Sequence, residues 1–288
     1  MMRANRQSGF SLLELIVVIV LLGIVTIGAG LLVVNPTEAF DAQQRRQQLV
    51  DQGEMALRQI ATDVRRALPN SLRLSSAGSL VGVEFVNTVD GARYRDAIDD
   101  SVPASGANEI LDFTAADSDF NLLGSFNSLG AFSGGQRLVI YNTTPATLYQ
   151  DASANNNPGI ITPGGSALTL SVSAQYPSEQ HVNIGGGGFQ FAQQSPGQRL
   201  FVVDGPVSYV CDTGSGELLR YSGYGYNLGQ SLTPGGTTTT VATQLQGCTM
   251  TYNAGTAQRG GILTLGLTIA IAGESVNLLH QIQVENVP

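Results

Sequence analysis

Three regimes of apolar spacing follow one another along the chain. From Leu12 to Val34 apolar residues run almost without interruption, and Glu14 is the one charge among them. As a helix this stretch measures roughly 35 Å at about 1.5 Å per residue, enough to cross a bilayer core. Gly28 and Gly30 weaken its last turns, and Asn35-Pro36 is expected to break it, since proline disfavours helix in the residue before it. From about Thr37 to Leu68 the period becomes helical and one-sided. Val50, Gly53, Leu57, Ile60, Ala61, Val64 and Leu68 share one face. Thr37 or Asn35 can cap this second helix, Glu38 and Asp41 suit its first turn, and Pro69-Asn70 ends it. Asp41–Arg45 and Glu54–Arg58 stand four residues apart, which predicts ion pairs on the outer faces.

Beyond Leu72 the period falls to two. Strands are predicted at Val81–Val86, Glu109–Phe113, Arg137–Tyr141, Ala167–Val172, Arg199–Val203, Val207–Cys211 and Leu218–Tyr221. The clearest pair closes the chain: Leu263, Leu265, Leu267, Ile269 and Ile271 alternate with small or polar residues. Alternation resumes at Val276, Leu278, Ile282 and Val284 after a turn at Gly273. Such a sheet needs an apolar cover, and the Leu57–Leu68 stripe supplies one. Gly135-Gln136-Arg137-Leu138-Val139-Ile140 recurs as Gly197-Gln198-Arg199-Leu200-Phe201-Val202, either two equivalent sheet positions or one favourable turn used twice. Between the copies, about 142–196, lies a segment rich in Asn, Gly, Pro, Ser and Gln that reads as an exposed, loop-rich insertion with one or two strands. Ser231–Thr240, with four consecutive threonines, reads as a second loop.

Composition narrows the classes. Charged residues make up 12% of the 288, and there is no lysine. Residues 1–73 carry eight arginines against six acids, a balance of +2. Residues 74–288 carry six against sixteen, a balance of −10. An acidic body argues against nucleic acid as the main partner. The arginines at 45, 46, 58, 65, 66 and 73 alternate with acids at 41, 51, 54 and 63, the pattern of a salt-bridged helix surface. Arg3 and Arg6 precede the apolar run without an acid beside them, which holds that end in the cytoplasm. The run is far longer than the ~7–15 apolar residues of a secretory signal. It also retains Glu14, a charge that lipid tolerates only at a cost.

That costly carboxylate lies in a specific context: Gly9, Phe10, Ser11, Leu12, Leu13, Glu14, then the apolar run with Gly23 inside it. The stretch resembles the class III signal of type IV pilins and type II secretion pseudopilins. The resemblance implies cleavage by a prepilin peptidase between Gly9 and Phe10 and methylation of the new N-terminus at Phe10. It further implies that Glu14 docks against a neighbouring subunit's N-terminus. It covers only about the first 35 residues. Further on, Val207–Asp212, Gly216–Tyr221, Gly247–Tyr252 and the ending Leu279–Pro288 are similar to MshO-like minor pilins of the mannose-sensitive haemagglutinin pilus. J-type pseudopilins of type II secretion share the same general layout.

The catalytic inventory is thin. His280 falls in step with Leu278 and Ile282, as a packed, hydrogen-bonded core histidine would, and His181 has no Cys or second His near it in sequence. No Gly-x-Ser-x-Gly elbow occurs, and without lysine a P-loop or Schiff-base site is excluded. Asp117, Asp119 and Asn121 have the spacing of half a calcium loop, but Leu122 stands where its glycine belongs and Ser128 where its closing Glu belongs. They and the Asp96, Asp99, Asp100 cluster read as solvated acidic loops, and no metal or other cofactor is expected. Cys211 and Cys248, the only cysteines, are expected to pair, because the head lies outside the reducing cytoplasm.

The expected fold is α+β and pilin-like: a long N-terminal helix, half membrane and half amphipathic, packed on an antiparallel β-sheet head. The segments are a leader at 1–9, an assembly helix at 10–34, an amphipathic helix at 35–70 and a head at 71–288. The expected partners are prepilin peptidase, other pilin subunits and inner-membrane lipid, with the head in the periplasm before assembly into a filament at the cell surface. A J-type pseudopilin, and a tip adhesin binding a surface or glycan through the insertion, remain as alternatives. A membrane-anchored enzyme lacks a visible catalytic set.

Overall fold

The first helix takes one continuous course where two were expected. The computed structural model describes residues 11–99, 109–255 and 259–288. Helix α1, Leu12–Val64, passes through Asn35-Pro36 without a break. A proline removes one amide donor, but the intact turns on both sides outweigh that loss in so long a helix. The helix also stops short of Leu68. There the chain is captured by a strand: Ala67 bridges Asn87, and the Leu68 amide donates to Val86 O at 2.8 Å.

The captor is β2, Leu80–Arg93, which belongs to a six-stranded antiparallel sheet. The sheet's other members are β1 (Arg73–Ala77), β4 (Arg137–Ile140), β7 (Arg199–Asp212), β8 (Glu217–Ser222) and β9 (Thr237–Ala242). The strands expected at Arg199–Val203 and Val207–Cys211 are the two ends of β7. β2 runs along one edge of it, while β4 pairs with its first half and β8 with its second. The two copies of the Gly-Gln-Arg repeat are therefore antiparallel neighbours, with Val139 opposite Phe201 and Ile140 opposite Leu200.

A second sheet is the meander β10 (Leu245–Asn253), β11 (Gly261–Ile271) and β12 (Glu274–Val284). The β11–β12 hairpin turns at Ala272-Gly273, both at positive φ (47° and 87°), as a tight two-residue turn between twisted strands requires. A third sheet, β3 (Asp119–Asn121), β6 (Gln180–Ile184) and β5 (Leu168–Val172), is built mostly from the insertion.

Three expectations change here. Glu109–Phe113 is no strand, because Asp112 Oδ1 accepts from the Thr114 amide and hydroxyl, both at 2.7 Å, and this local turn competes with sheet pairing. Thr237–Thr240 is not loop but most of β9, paired to β8; threonine's branched side chain suits an extended, half-exposed strand. The 142–196 insertion is packed and not loose. It holds α2, Pro145–Ala154, capped by Thr144 with proline at its start. Leu148, Tyr149, Ile161, Phe189 and Phe191 within it are completely buried.

The main core lies where α1 crosses the two larger sheets and includes Leu49, Ile60, Val64, Phe85, Tyr209, Leu265 and Ile269. Behind it a buried carboxylate organises the polar interior. Glu84 accepts from Arg73 Nε at 2.7 Å and from the Tyr224 hydroxyl at 3.1 Å, while Arg73 lies 3.5 Å over the Tyr149 ring. Burial raises the Glu84 pKa, and Arg73 opposes that rise.

Cys211 of β7 and Cys248 of β10 form the expected disulfide and so staple the first sheet to the second. Their separation of 37 residues predicts about 3–4 kcal/mol of stabilisation from the shortened unfolded chain. The Cys211→Ala/Cys248→Ala double variant should lose about that much in denaturant unfolding. An unchanged midpoint would show that the staple contributes nothing.

Candidate functional site

The two halves of α1 meet different surroundings. Along Leu12–Ala29 no residue is buried, and the segment is long and apolar enough to cross a membrane. The one hydroxyl in the described part of that run is spent internally, Thr26 Oγ1 donating to Leu22 O at 2.7 Å. At its start Ser11 caps the helix, its Oγ accepting from the Leu13 amide at 3.2 Å. Glu14 stands in the first turn, where the helix dipole favours a negative charge. It is the single charge on an otherwise apolar surface. Gly9 and Phe10 lie outside the described residues.

The second half is seated on the head. Leu49, Ala56, Leu57, Ile60, Ala61 and Val64 are buried against the sheets, so the stripe read from the sequence is the docking face. Gly53 lies within it for a steric reason: a Cβ there would overlap Leu278 Cδ1 and sit 3.1 Å from Ile269 Cδ1. The β11–β12 hairpin thus approaches the helix backbone where no side chain intervenes. Polar contacts fix the register. Asp63 Oδ2 accepts from the Tyr209 hydroxyl at 2.7 Å and from Arg220 Nε at 2.8 Å, and Gln52 Nε2 donates to Thr243 Oγ1 at 3.1 Å. Burial pushes the Tyr209 phenol well up, and its bond to Asp63 adds to that. Burial opposes the Arg220 charge, but Asp63 outweighs it and the net shift is upward. In the sequence Asp63 stands as one of several acids interleaved with the helix arginines. Its only signal was its place between Ile60 and Val64, at the border of the buried stripe.

The remaining candidates fall elsewhere. Glu54–Arg58 forms, at 2.7 Å, but Asp41–Arg45 does not, and Arg73 turns inward to Glu84. His280 is half-buried in a cleft beside Glu54, Leu57 and Arg58, not enclosed in the core, because β12 is an edge strand there. His181 belongs to β6, and its Nδ1 is 2.8 Å from Asn121 Oδ1.

Asp117, Asp119 and Asn121 do not make a calcium loop, since Asp119–Asn121 is strand β3. Asn121 is buried and bonded to Ser173, and Asp117 accepts from the amides of Asp112 and Asp119. Burial raises the Asp117 pKa. Asp96 accepts from Gln198 Nε2 at 2.5 Å, and Asp100 lies outside the described residues. Among the described residues no three His, Cys, Asp or Glu side chains gather as a metal site.

The prokaryotic N-terminal methylation motif matches residues 4–30. No curated protein and no solved structure matches the chain. The motif, with one long apolar helix laid on an antiparallel sheet domain, supports the general type IV pilin and pseudopilin family. These are features of a structural protein. The motif also implies recognition by a prepilin peptidase.

If Asp63 locks the helix to the head, Asp63→Ala should cost about 1–3 kcal/mol, because Tyr209 and Arg220 lose their partner in a half-shielded setting. Tyr209→Phe in the Asp63→Ala background should then add little. Full additivity of the two changes in thermal unfolding would show that the residues do not act together.

Proposed function

We propose that the chain is a minor pilin, cut between Gly9 and Phe10, methylated at Phe10, held in the inner membrane by α1 with its head in the periplasm, and drawn from there into a filament. One observation carries the reading. The same chain that bears the methylation motif presents an uncovered apolar helical surface directly continuous with a half that is firmly seated on a head. Lipid covers that surface before assembly, and the corresponding helices of neighbouring subunits cover it afterwards. Glu14 then pairs with the N-terminal amine of a neighbour inside this apolar environment, where neither charge is stable alone.

The mannose-sensitive haemagglutinin pilus is the favoured setting. The segments similar to its minor pilins fall in the second half of β7, in β8, in β10 and in β12, which are the elements around the helix seat.

Intact mass and N-terminal fragmentation of the protein from a host with the peptidase should show a chain beginning at Phe10 and carrying one methyl group. A terminus near Leu31 would mean an ordinary secretory signal and would sink the proposal. Glu14→Val should insert normally, since it removes the costly charge, yet enter filaments poorly. Incorporation at the wild-type level would remove Glu14 from the mechanism.

A further inference from the structure

At the far end of α1 the chain gathers positive charge around a cleft. Arg65 and Arg66 close the helix, Arg199 reaches in from β7, and Thr88 and Phe201 complete a space of about 360 Å³. Glu285 is the one acid on its wall, and among the described residues no ion pair joins it to any of the three arginines. Arg65 and Arg66 are exposed, and neither makes an ion pair.

A helix C-terminus tolerates such residues through its dipole alone. The dipole does not account for Arg199, which comes from another element and is held in place by donating Nη1 to Val287 O at 3.1 Å. Nor does it account for the Thr88 hydroxyl, shielded from solvent and without a hydrogen-bond partner. The floor is rigid: the Thr88 amide donates to Arg66 O at 2.9 Å, and Ala67 bridges Asn87 across the β2 bulge.

We infer that Arg65, Arg66, Arg199 and Thr88 form a carboxylate receptor for an acidic segment of a neighbouring subunit. Guanidinium groups present paired donors that match a carboxylate, and three of them converge here on a head that is otherwise strongly acidic. An anionic lipid headgroup would offer similar chemistry, but distance excludes it. Thirty helical residues separate Val34, the end of the apolar run, from Arg65, or roughly 45 Å at about 1.5 Å each. The inference rests on the assembly reading only for where the carboxylate comes from.

The test is binding of a fluorescent hexa-aspartate peptide to the full-length chain in neutral detergent micelles, followed by anisotropy. The wild type should bind it, more weakly as salt rises, and should ignore hexa-asparagine. Arg65→Gln/Arg66→Gln should weaken binding at least tenfold at unchanged melting temperature, and Thr88→Val several-fold. Arg46→Gln, on the same helix but away from the cleft, should leave binding unchanged.

Equal binding of hexa-asparagine, or wild-type affinity in Arg65→Gln/Arg66→Gln, would overturn the inference. So would binding of phosphatidylglycerol-doped micelles that depends on Arg66 while hexa-aspartate fails to bind. Glu14→Val, impaired in assembly, should bind the peptide like wild type, so a failure here is separable from a failure of the assembly reading.

Discussion

Leu12, Leu13, Leu15, Leu21 and Val25 point to different sides of α1, yet each keeps more than half of its surface free. At about 25 cal/mol for each Å² of apolar surface, leaving such a cylinder in water is costlier than most folds can offset. Among the described residues nothing covers it. The apolar half of the helix therefore requires an outside cover, and the architecture follows from how that cover is used. A bilayer and a bundle of like helices are both apolar, so transfer between them changes the hydrophobic term little. The selective element is the one charge. Glu14 is expensive in lipid, so in the proposed assembly a neighbouring amine would distinguish the bundle from the bilayer.

The seated half answers a different requirement. A helix pulled along its axis transmits force to its head only if the two are joined rigidly. The stripe from Leu49 to Val64 supplies apolar burial, Gly53 lets the hairpin close onto the backbone, and Asp63 ties the last turn to β7 and β8. Apolar contacts alone permit sliding by one turn. The Asp63 bonds to Tyr209 and Arg220 have fixed geometry and forbid it. The disulfide then holds β7, which carries Tyr209, to the sheet on which the helix rests.

What was legible in the sequence was local and periodic. The apolar run, the stripe around Ile60 and the alternating hairpin with its turn at Gly273 each declare themselves within a dozen or so residues. The cysteine pair was legible because there was no other choice of partner. The failures are matters of context. Pro36 read alone stops a helix, but its neighbours carry α1 through. The threonines of β9 are polar and so looked like loop, although their branching favours strands once β8 offers its edge. The insertion's apolar residues are scattered singly, so no period betrays that Phe189 and Phe191 share a core with Phe120. Asp63 meets Tyr209 across 146 residues, a pairing that no local pattern encodes.

Charge adds a directional element to these contacts. The arginines cluster at the C-terminal end of α1, whereas the head's excess acid is spread over residues 74–288. A two-fold contact would set each patch against its own copy and place like charges together, which costs energy. A head-to-tail contact sets the arginine cleft of one subunit against an acidic surface of the next. Such heterologous contacts need not close into a ring and can continue as an open helix. The proposed pairing of Glu14 with a neighbour's terminus would be heterologous in the same sense, since each subunit would give a carboxylate to one neighbour and an amine to another. The two proposed contacts, at opposite ends of one helix, would therefore share one outcome: a polar filament in which every subunit has the same orientation.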